Sequence, residues 1–399
     1  MDIWKKNMWI CTAASFIVSI GMSQMAPIMP LYIEELGVTD ADAIAMWAGI
    51  VFGCNFISLA IFSPIWGRLS DKYGRKPMML RASAWLGLIM VGMGLAGNVW
   101  HLVILRLLQG ALSGFQAAAI PLIAQETPSE RSGWAMSIFF TGQVSGGLLG
   151  PVVGGWLSEI FGYRQTFFII GAFCFMGFIA LTQVKEHFVR PPEKEKRSIT
   201  DIVRSLPQPS VVLGLFITIP IMHFSLTCTG PILTVYIDQL VPHTEHLALV
   251  AGIVFSCSGF ASMLFASPLG KLADRRGPEL VLLGSLLLAG LANIPQALVT
   301  TPLWLGVWRF VHGISIAGLL PAVNNLVKRL VPARDLGSFY GFSQSAQFIG
   351  MFTGAFAGGW LTGLIGMHML FIATALLLII NGLWCYIAVV RPRHEAGLL

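Results

Sequence analysis

A few side chains in this 399-residue chain sit where their chemistry is costly. Arg106 lies in Val103-Ile-Leu-Arg106-Leu-Leu-Gln109-Gly110, and Arg309 lies in Val307-Trp-Arg309-Phe-Val-His312-Gly313. Both are cations within otherwise apolar runs. A charge there marks function by default, and the plainer alternative is a long side chain that snorkels to a polar edge. His312 and His223 add imidazoles to such runs, and imidazoles exchange protons near neutral pH. No carboxylate lies deep in the runs that hold these four residues; Glu34, beside Glu35, stands at the edge of the first run. The candidates for carrying or organising a proton are therefore Arg106, His223, His312 and Glu34. A second set is amide, aromatic or thioether: Gln24, Met25, Asn55, Phe115, Gln116, Met222, Phe224, Asn324, Gln344 and Gln347. Pockets for amphiphilic small molecules are mostly apolar with few polar groups, and methionines adapt to many shapes. Packing is the plainer reading of any one of them.

Other chemistries find no support. The chain has no Gly-x-x-x-x-Gly-Lys-Ser/Thr phosphate loop, and no paired catalytic carboxylates or Cys–His site. Its six cysteines lie in apolar segments without metal-ligand spacing. We expect no enzyme activity, no cofactor and no metal.

The elements that must position these residues follow from composition. Apolar residues make up 55% of the chain, charged residues 11%, and the mean hydropathy is +0.75. A soluble domain carries about 25% charge. Apolar runs alternate with short polar loops, which predicts an all-α membrane protein in a lipid bilayer. The runs fall at 8–33, 45–66, 78–97, 100–124, 134–158, 166–184, 211–237, 247–269, 279–298, 302–327, 338–362 and 368–390. Lys5 and Lys6 precede the first run, which continues past signal-peptide length and is read as a span. All but three of the 25 Lys and Arg fall in the termini and even-numbered loops; Arg106 and Arg309 are inside spans and Arg164 is on the other side. Positive loops stay cytoplasmic, so both termini are expected inside. The net charge of +6 then reports topology and requires no nucleic-acid partner.

The chain is also a duplication. Ala48-Gly49-Ile50-Val51-Phe52 returns 203 residues later as Ala251-Gly252-Ile253-Val254-Phe255. The same shift relates Gly67-Arg-Leu-Ser-Asp71 to Gly270-Lys-Leu-Ala-Asp274, and Arg106 to Arg309. A shift of 204 relates Pro27 to Pro231, Tyr32 to Tyr236 and Gly154-Gly155-Trp156 to Gly358-Gly359-Trp360. Two six-helix bundles are expected, 1–184 and 211–399, joined by a cytoplasmic linker at 185–210. The linker carries Pro191-Pro192, a charge run from Glu193 to Arg197 and the capping-box spacing Ser198-x-x-Asp201, read as a short interfacial helix.

Three motifs carry a resemblance. Gly67-Arg-Leu-Ser-Asp71-Lys-Tyr-Gly74-Arg75-Lys76 resembles the signature loop of the major facilitator superfamily, with a degenerate copy ending in Asp274-Arg-Arg-Gly277. Arg106-Leu-Leu-Gln109-Gly110 resembles the family's second motif, in which a membrane arginine is linked to proton movement. Gly146-Gly-Leu-Leu-Gly150-Pro151-Val-Val-Gly154-Gly155 resembles the span-5 motif of its drug–proton antiporters, and Gly142, Gly146, Gly150 and Gly154 form one smooth helical stripe. The closest likeness is to bacterial twelve-span multidrug efflux proteins.

The resemblance implies two pseudo-symmetric six-helix bundles that rock about a central cavity lined by spans 1, 4, 7 and 10. It implies a monomer in the cytoplasmic membrane whose partners are protons and a small molecule. It places Asp71 against the start of span 11 and Arg75 against Glu126. Gating then falls to Gly67, Asp71, Gly74, Arg75, Glu126 and Asp274 with Gly146, Gly150, Pro151 and Gly154. The function implied is proton-coupled export of amphiphilic compounds; an exporter of one metabolite, such as a sugar or siderophore, shares these motifs.

Overall fold

A computed structural model describes residues 2–188, 206, 208–242, 244–332 and 335–395. Among the described residues, regular structure is entirely helical, as a lipid-embedded backbone requires: a helix satisfies its own N–H and C=O groups. Ten helices among the described residues are long and apolar enough to cross a membrane, and a bent pair, Ile3–Ser23 with Met25–Glu35, makes an eleventh span. The last of the ten holds two spans, because Gly366 inside Leu336–Cys385 has φ 77 and ψ 162. That conformation turns the chain and is open to glycine for want of a Cβ. The count is thus twelve, matching the hydropathy pattern.

Spans 2 and 3 are Ala41–Tyr73 and Arg75–Gly94; span 4 is Val99–Leu112 plus Phe115–Glu126; spans 5 and 6 are Ser132–Phe161 and Tyr163–Thr182. Span 7 is Pro209–Cys228 plus Leu233–Leu240; spans 8, 9 and 10 are Leu247–Arg276, Pro278–Gln296 and Pro302–Leu330. Spans 11 and 12 flank Gly366.

Span 1 bends by 42° at Gln24, beside Pro27, which has no N–H to donate back along the helix. Span 7 is interrupted around Pro231, the matching residue. The duplicated prolines therefore break both copies at the same place.

The chain forms two compact units. The first is Met1–Asp40, Cys54–Glu193 and His243–Ser256; the second is Ala41–Gly53, Lys194–Pro242 and Cys257–Leu399. Each unit is built mainly from one half of the chain and takes in the opening turns of a span from the other. In the first unit, Glu159 at the end of span 5 accepts from Leu249 N at 2.9 Å and pairs with His246 Nδ1 at 3.0 Å. The expected linker helix at Ser198–Asp201 and its charge run lie outside the described residues.

The units repeat one packing scheme. Tyr32 donates its hydroxyl to the Met93 carbonyl at 2.7 Å and packs on Phe167. Tyr236 donates to the Gln296 carbonyl at 2.9 Å and packs on Phe371. A methyl group added at Gly146, Gly350, Gly354 or Gly358 would overlap a backbone carbonyl of span 1 or span 7. Close backbone approach at small residues is what holds membrane helices together when lipid is as apolar as the side chains.

Candidate functional site

Span 4 builds the first unit's buried polar centre. Its upper helix presents Leu102, Val103, Arg106, Gln109 and Gly110 on one buried face, at spacings of three and four. Arg106 is 2% exposed. Its Nη1 donates to Gln109 Oε1 at 2.7 Å and to Met25 Sδ at 3.2 Å. Gln109 Nε2 in turn donates to Met22 Sδ at 3.0 Å.

Around it lie amides without partners. Gln24 and Asn55 are both fully buried, and neither side-chain nitrogen nor oxygen of either is hydrogen-bonded. Gln116 donates to Ser15 Oγ at 3.0 Å while its own Oε1 stays unpaired. An unmet buried polar group costs about 1–3 kcal/mol, which a ligand's polar edge or water would recover. Met25 and Phe115 are buried beside them. The structure thus gathers Arg106, Gln24, Met25, Asn55, Phe115 and Gln116 into the first unit.

In the second unit, Arg309 and His312 are also buried, and neither ring nitrogen of His312 is hydrogen-bonded. His223 is different: its Nδ1 reaches the Ile219 carbonyl one turn back at 3.0 Å, a satisfied packing arrangement. Met222 lies in the apolar core with Ile219, Leu319 and Val323. Phe224 is half-buried, and its carbonyl receives Gly354. Asn324 and Gln344 are exposed; Gln344 donates to Gln347 at 3.1 Å. Glu34 is exposed at the end of the bent helix of span 1. The two buried carboxylates among the described residues, Glu279 and Asp335, stand at the openings of spans 9 and 11.

The signature loop is held differently from the arrangement the resemblance implied. Asp71 pairs with Arg75 of its own loop at 2.5 Å, and Arg75 also donates to Ser70 Oγ at 2.8 Å. Glu126 does not meet Arg75; it accepts from His187 N at 2.6 Å and pairs with its ring at 3.0 Å. The acid that Arg75 does meet through its backbone is Glu186, beyond span 6. Glu186 accepts from Arg75 N at 2.6 Å and Lys76 N at 2.8 Å, so it caps span 3 and satisfies two orphan donors. Gly74, at φ 97, leaves room for that carboxylate. Gly67 has nothing near its Cα face, and Asp274 accepts from Asn325 at 3.4 Å.

The span-5 stripe divides its work. Gly142, Gly146, Gly150 and Gly154 face span 1 within the first unit. The opening turns of span 8 are met by their neighbours instead: a methyl at Gly155 would overlap the Ala248 carbonyl, and one at Gly252 the Pro151 carbonyl. The stripe is thus an intra-unit seam, and Pro151 with Gly155 makes the contact to the other half's segment.

One feature escaped the sequence reading. Span 4 is broken at Ser113 and Gly114, the latter at φ 121. The break bares carbonyls, and two side chains cover them. Trp66 Nε1 donates to the Ala111 carbonyl at 2.5 Å, and Arg81 Nη2 donates to the Ser113 carbonyl at 2.8 Å. The Arg81 guanidinium carbon lies over the Trp66 ring, 3.2 Å from its centroid. A Ser-Gly pair inside an apolar run is a breaker signal, and the helical periodicity on either side masks it. No sequence signal points to Glu186.

The sequence model of the Major Facilitator Superfamily matches residues 11–241 and again 215–398. This chain belongs to the Major Facilitator Superfamily. Membership makes it a multi-pass membrane transporter of small molecules rather than an enzyme. The "Multidrug resistance protein MdtG" of Rahnella sp. is 39% identical over 394 residues, covering 98% of this chain and 96% of that one. The protein of the same name from Klebsiella pneumoniae is 38% identical over 395 residues, covering 99% and 96%. The Escherichia coli one is 39% identical over 393 residues, covering 98% and 96%. Among solved structures, an inward-facing bacterial homolog of the human lysosomal transporter Spinster superimposes with TM-score 0.77 at 16% identity, over 97% of both chains. The human organic anion transporter MFSD10 gives 0.70 at 13% identity, over 96% of this chain and 100% of that one. At such identities these superpositions speak for the fold alone.

Proposed function

We propose that this superfamily member exports chemically varied, amphiphilic small molecules from the cytoplasm in exchange for protons. One observation carries the reading: proteins named for multidrug resistance are 38–39% identical to it along nearly the whole of both chains. The protein sits in the cytoplasmic membrane as a monomer, with both termini inside, and its halves divide at the 185–210 linker. Substrate meets the apolar walls and unpaired amides near Gln24, Asn55 and Gln116. Arg106 organises the proton path, because it is a buried cation held by an amide and a thioether. Asp71, Arg75 and Glu126 with Asp274 steady the cytoplasmic loops, and Gly150, Pro151 and Gly154 allow close packing where the facing state changes.

Transport by inside-out vesicles tests this. Lipophilic dyes and antibiotics of several classes should accumulate when a proton gradient is imposed and stop when a protonophore collapses it. Arg106→Lys keeps the charge and loses the planar fork; it should reduce gradient-driven uptake more than substrate binding. Uptake that ignores the gradient would make the protein a facilitator. Uptake confined to one compound, such as a sugar or siderophore, would favour the dedicated exporter.

A further inference from the structure

The 203-residue shift relates Trp66 to Leu269, Arg81 to Gly284 and Ala111 to Ile314. In the first half the tryptophan and arginine stack and cover the carbonyls bared in span 4. In the second half, span 10 runs as one helix from Pro302 to Leu330, without the turn that breaks span 4. The matching side chains are a leucine and a glycine, and the space they leave is open. It forms a groove of about 230 Å³ between spans 8, 9 and 10, walled by Leu269, Leu272, Leu280 and Ile314 with Gly284 at its floor. A methyl group at Gly284 would touch nothing within 4 Å. Ser285 also borders the groove, but its hydroxyl is turned to Gly318 of span 10. The one charged group in the wall is Arg276, the last residue of span 8.

We infer that this groove binds one anionic phospholipid, with an acyl chain against the leucines and Gly284 and the phosphate on Arg276. Three observations support that occupant. The walls belong to membrane spans, where hydrocarbon is the solvent, and Leu272 and Leu280 are exposed to it. Arg276 is exposed, and among the described residues it has no ion-pair partner. Its charged neighbours are Lys271, Asp274 and Arg275 on the same helix, with Asp274 engaged by Asn325, and Glu279 on span 9, which is held by Arg393 at 3.1 Å. The field at the mouth of the groove is therefore positive, as a phosphate requires. Polar headgroups seated between spans on basic residues are a known mode of lipid recognition, and one arginine near the surface favours an anionic headgroup about fivefold.

The test uses the full chain, delipidated in mild detergent and titrated with phosphatidylglycerol or phosphatidylcholine, with bound lipid counted by native mass spectrometry. Wild type should hold one lipid tightly, phosphatidylglycerol about fivefold over phosphatidylcholine. Gly284→Phe fills the floor and should abolish the tight site for both lipids. Leu269→Trp, which places in the groove the side chain found in the first half, should do the same and serves if the phenylalanine variant fails to fold. Arg276→Gln should keep chain binding and equalise the two headgroups. A tight lipid retained in folded Gly284→Phe and Leu269→Trp would overturn the site. So would a wild type with no headgroup preference, or a dimer without bound lipid.

Discussion

Spans 4 and 10 are the two copies of one repeated segment, and their backbones part where span 4 is broken. Span 4 is broken at Ser113–Gly114 and needs Trp66 and Arg81 to cover its carbonyls; span 10 crosses the equivalent residues, Ile316 and Ala317, as continuous helix. Above that point two features persist in both copies. Each carries a buried arginine, and each brings a glycine against the carbonyl of span 2 or span 8: Gly110 on Asn55, and Gly313 on Ser258. The comparison teaches that packing contacts persist through duplication, while backbone breaks and their polar covers mark where one copy has specialised. An irregular segment inside a membrane survives only if protein satisfies it. Arg81 and Trp66 are the condition for the break, and the half without the break is also without them.

The largest effect should separate the two halves. Arg81→Leu leaves the Ser113 carbonyl without its donor and Trp66 without its cation. A hydrogen bond to a charged group and a cation–π contact together are worth about 3 kcal/mol, so the apparent melting temperature in detergent should fall clearly. Gly284→Leu, its mate, enters open space and should be near neutral. Equal losses would mean that the break does not depend on Arg81.

The next effect should unite them. Gly110→Ala and Gly313→Ala each press a methyl onto a backbone carbonyl, and overpacking costs about 1–3 kcal/mol. Both should destabilise to the same degree in thermal unfolding. A loss in one and not the other would place the divergence of the copies deeper than the break.

A smaller symmetric pair is Tyr32→Phe and Tyr236→Phe. Each removes one buried hydrogen bond to a span-end carbonyl, worth about 1 kcal/mol. Parallel shifts in the same unfolding assay are expected, and a silent Tyr236→Phe would show that the second copy no longer relies on that tie.

The smallest effect on stability is expected at the loops. Asp71→Asn breaks an exposed ion pair, which is worth less than about 1 kcal/mol. Folding should hold while vesicle transport falls. Asp274→Asn should lower transport less, because its acid meets an amide, with no paired arginine and no acid in the second copy to match Glu126. Equal transport defects would make the two loops equivalent in spite of their sequences.

Much of this was legible in the residues. The mean hydropathy and the spacing of apolar runs require helices of membrane length, since lipid offers no partner for an open backbone. The duplication is written in the two shifts, and the paired tyrosines and prolines duly make paired bonds and bends. Arg106 reads as buried because nothing near it in sequence is polar enough to draw it out.

Other features depended on which helices meet. Arg75 finds Asp71 and the carboxylate of Glu186, more than a hundred residues away, while Glu126 is taken by His187. Acids equivalent in charge choose among side-chain and backbone donors, and only their distances decide the choice. The glycine stripe announced a close helix contact, but not that span 1 would fill it and leave Pro151 and Gly155 for the segment from the other half. Periodicity gives the face of a helix and says nothing of its neighbour. The break in span 4 was least visible, because hydropathy averages over a window and a two-residue interruption with its carbonyls covered from spans 2 and 3 leaves that average unchanged. Composition and pattern thus determine solvent, element and repeat, which are local or additive properties; partner choice is a property of distance between remote residues, and only the tertiary structure decides it.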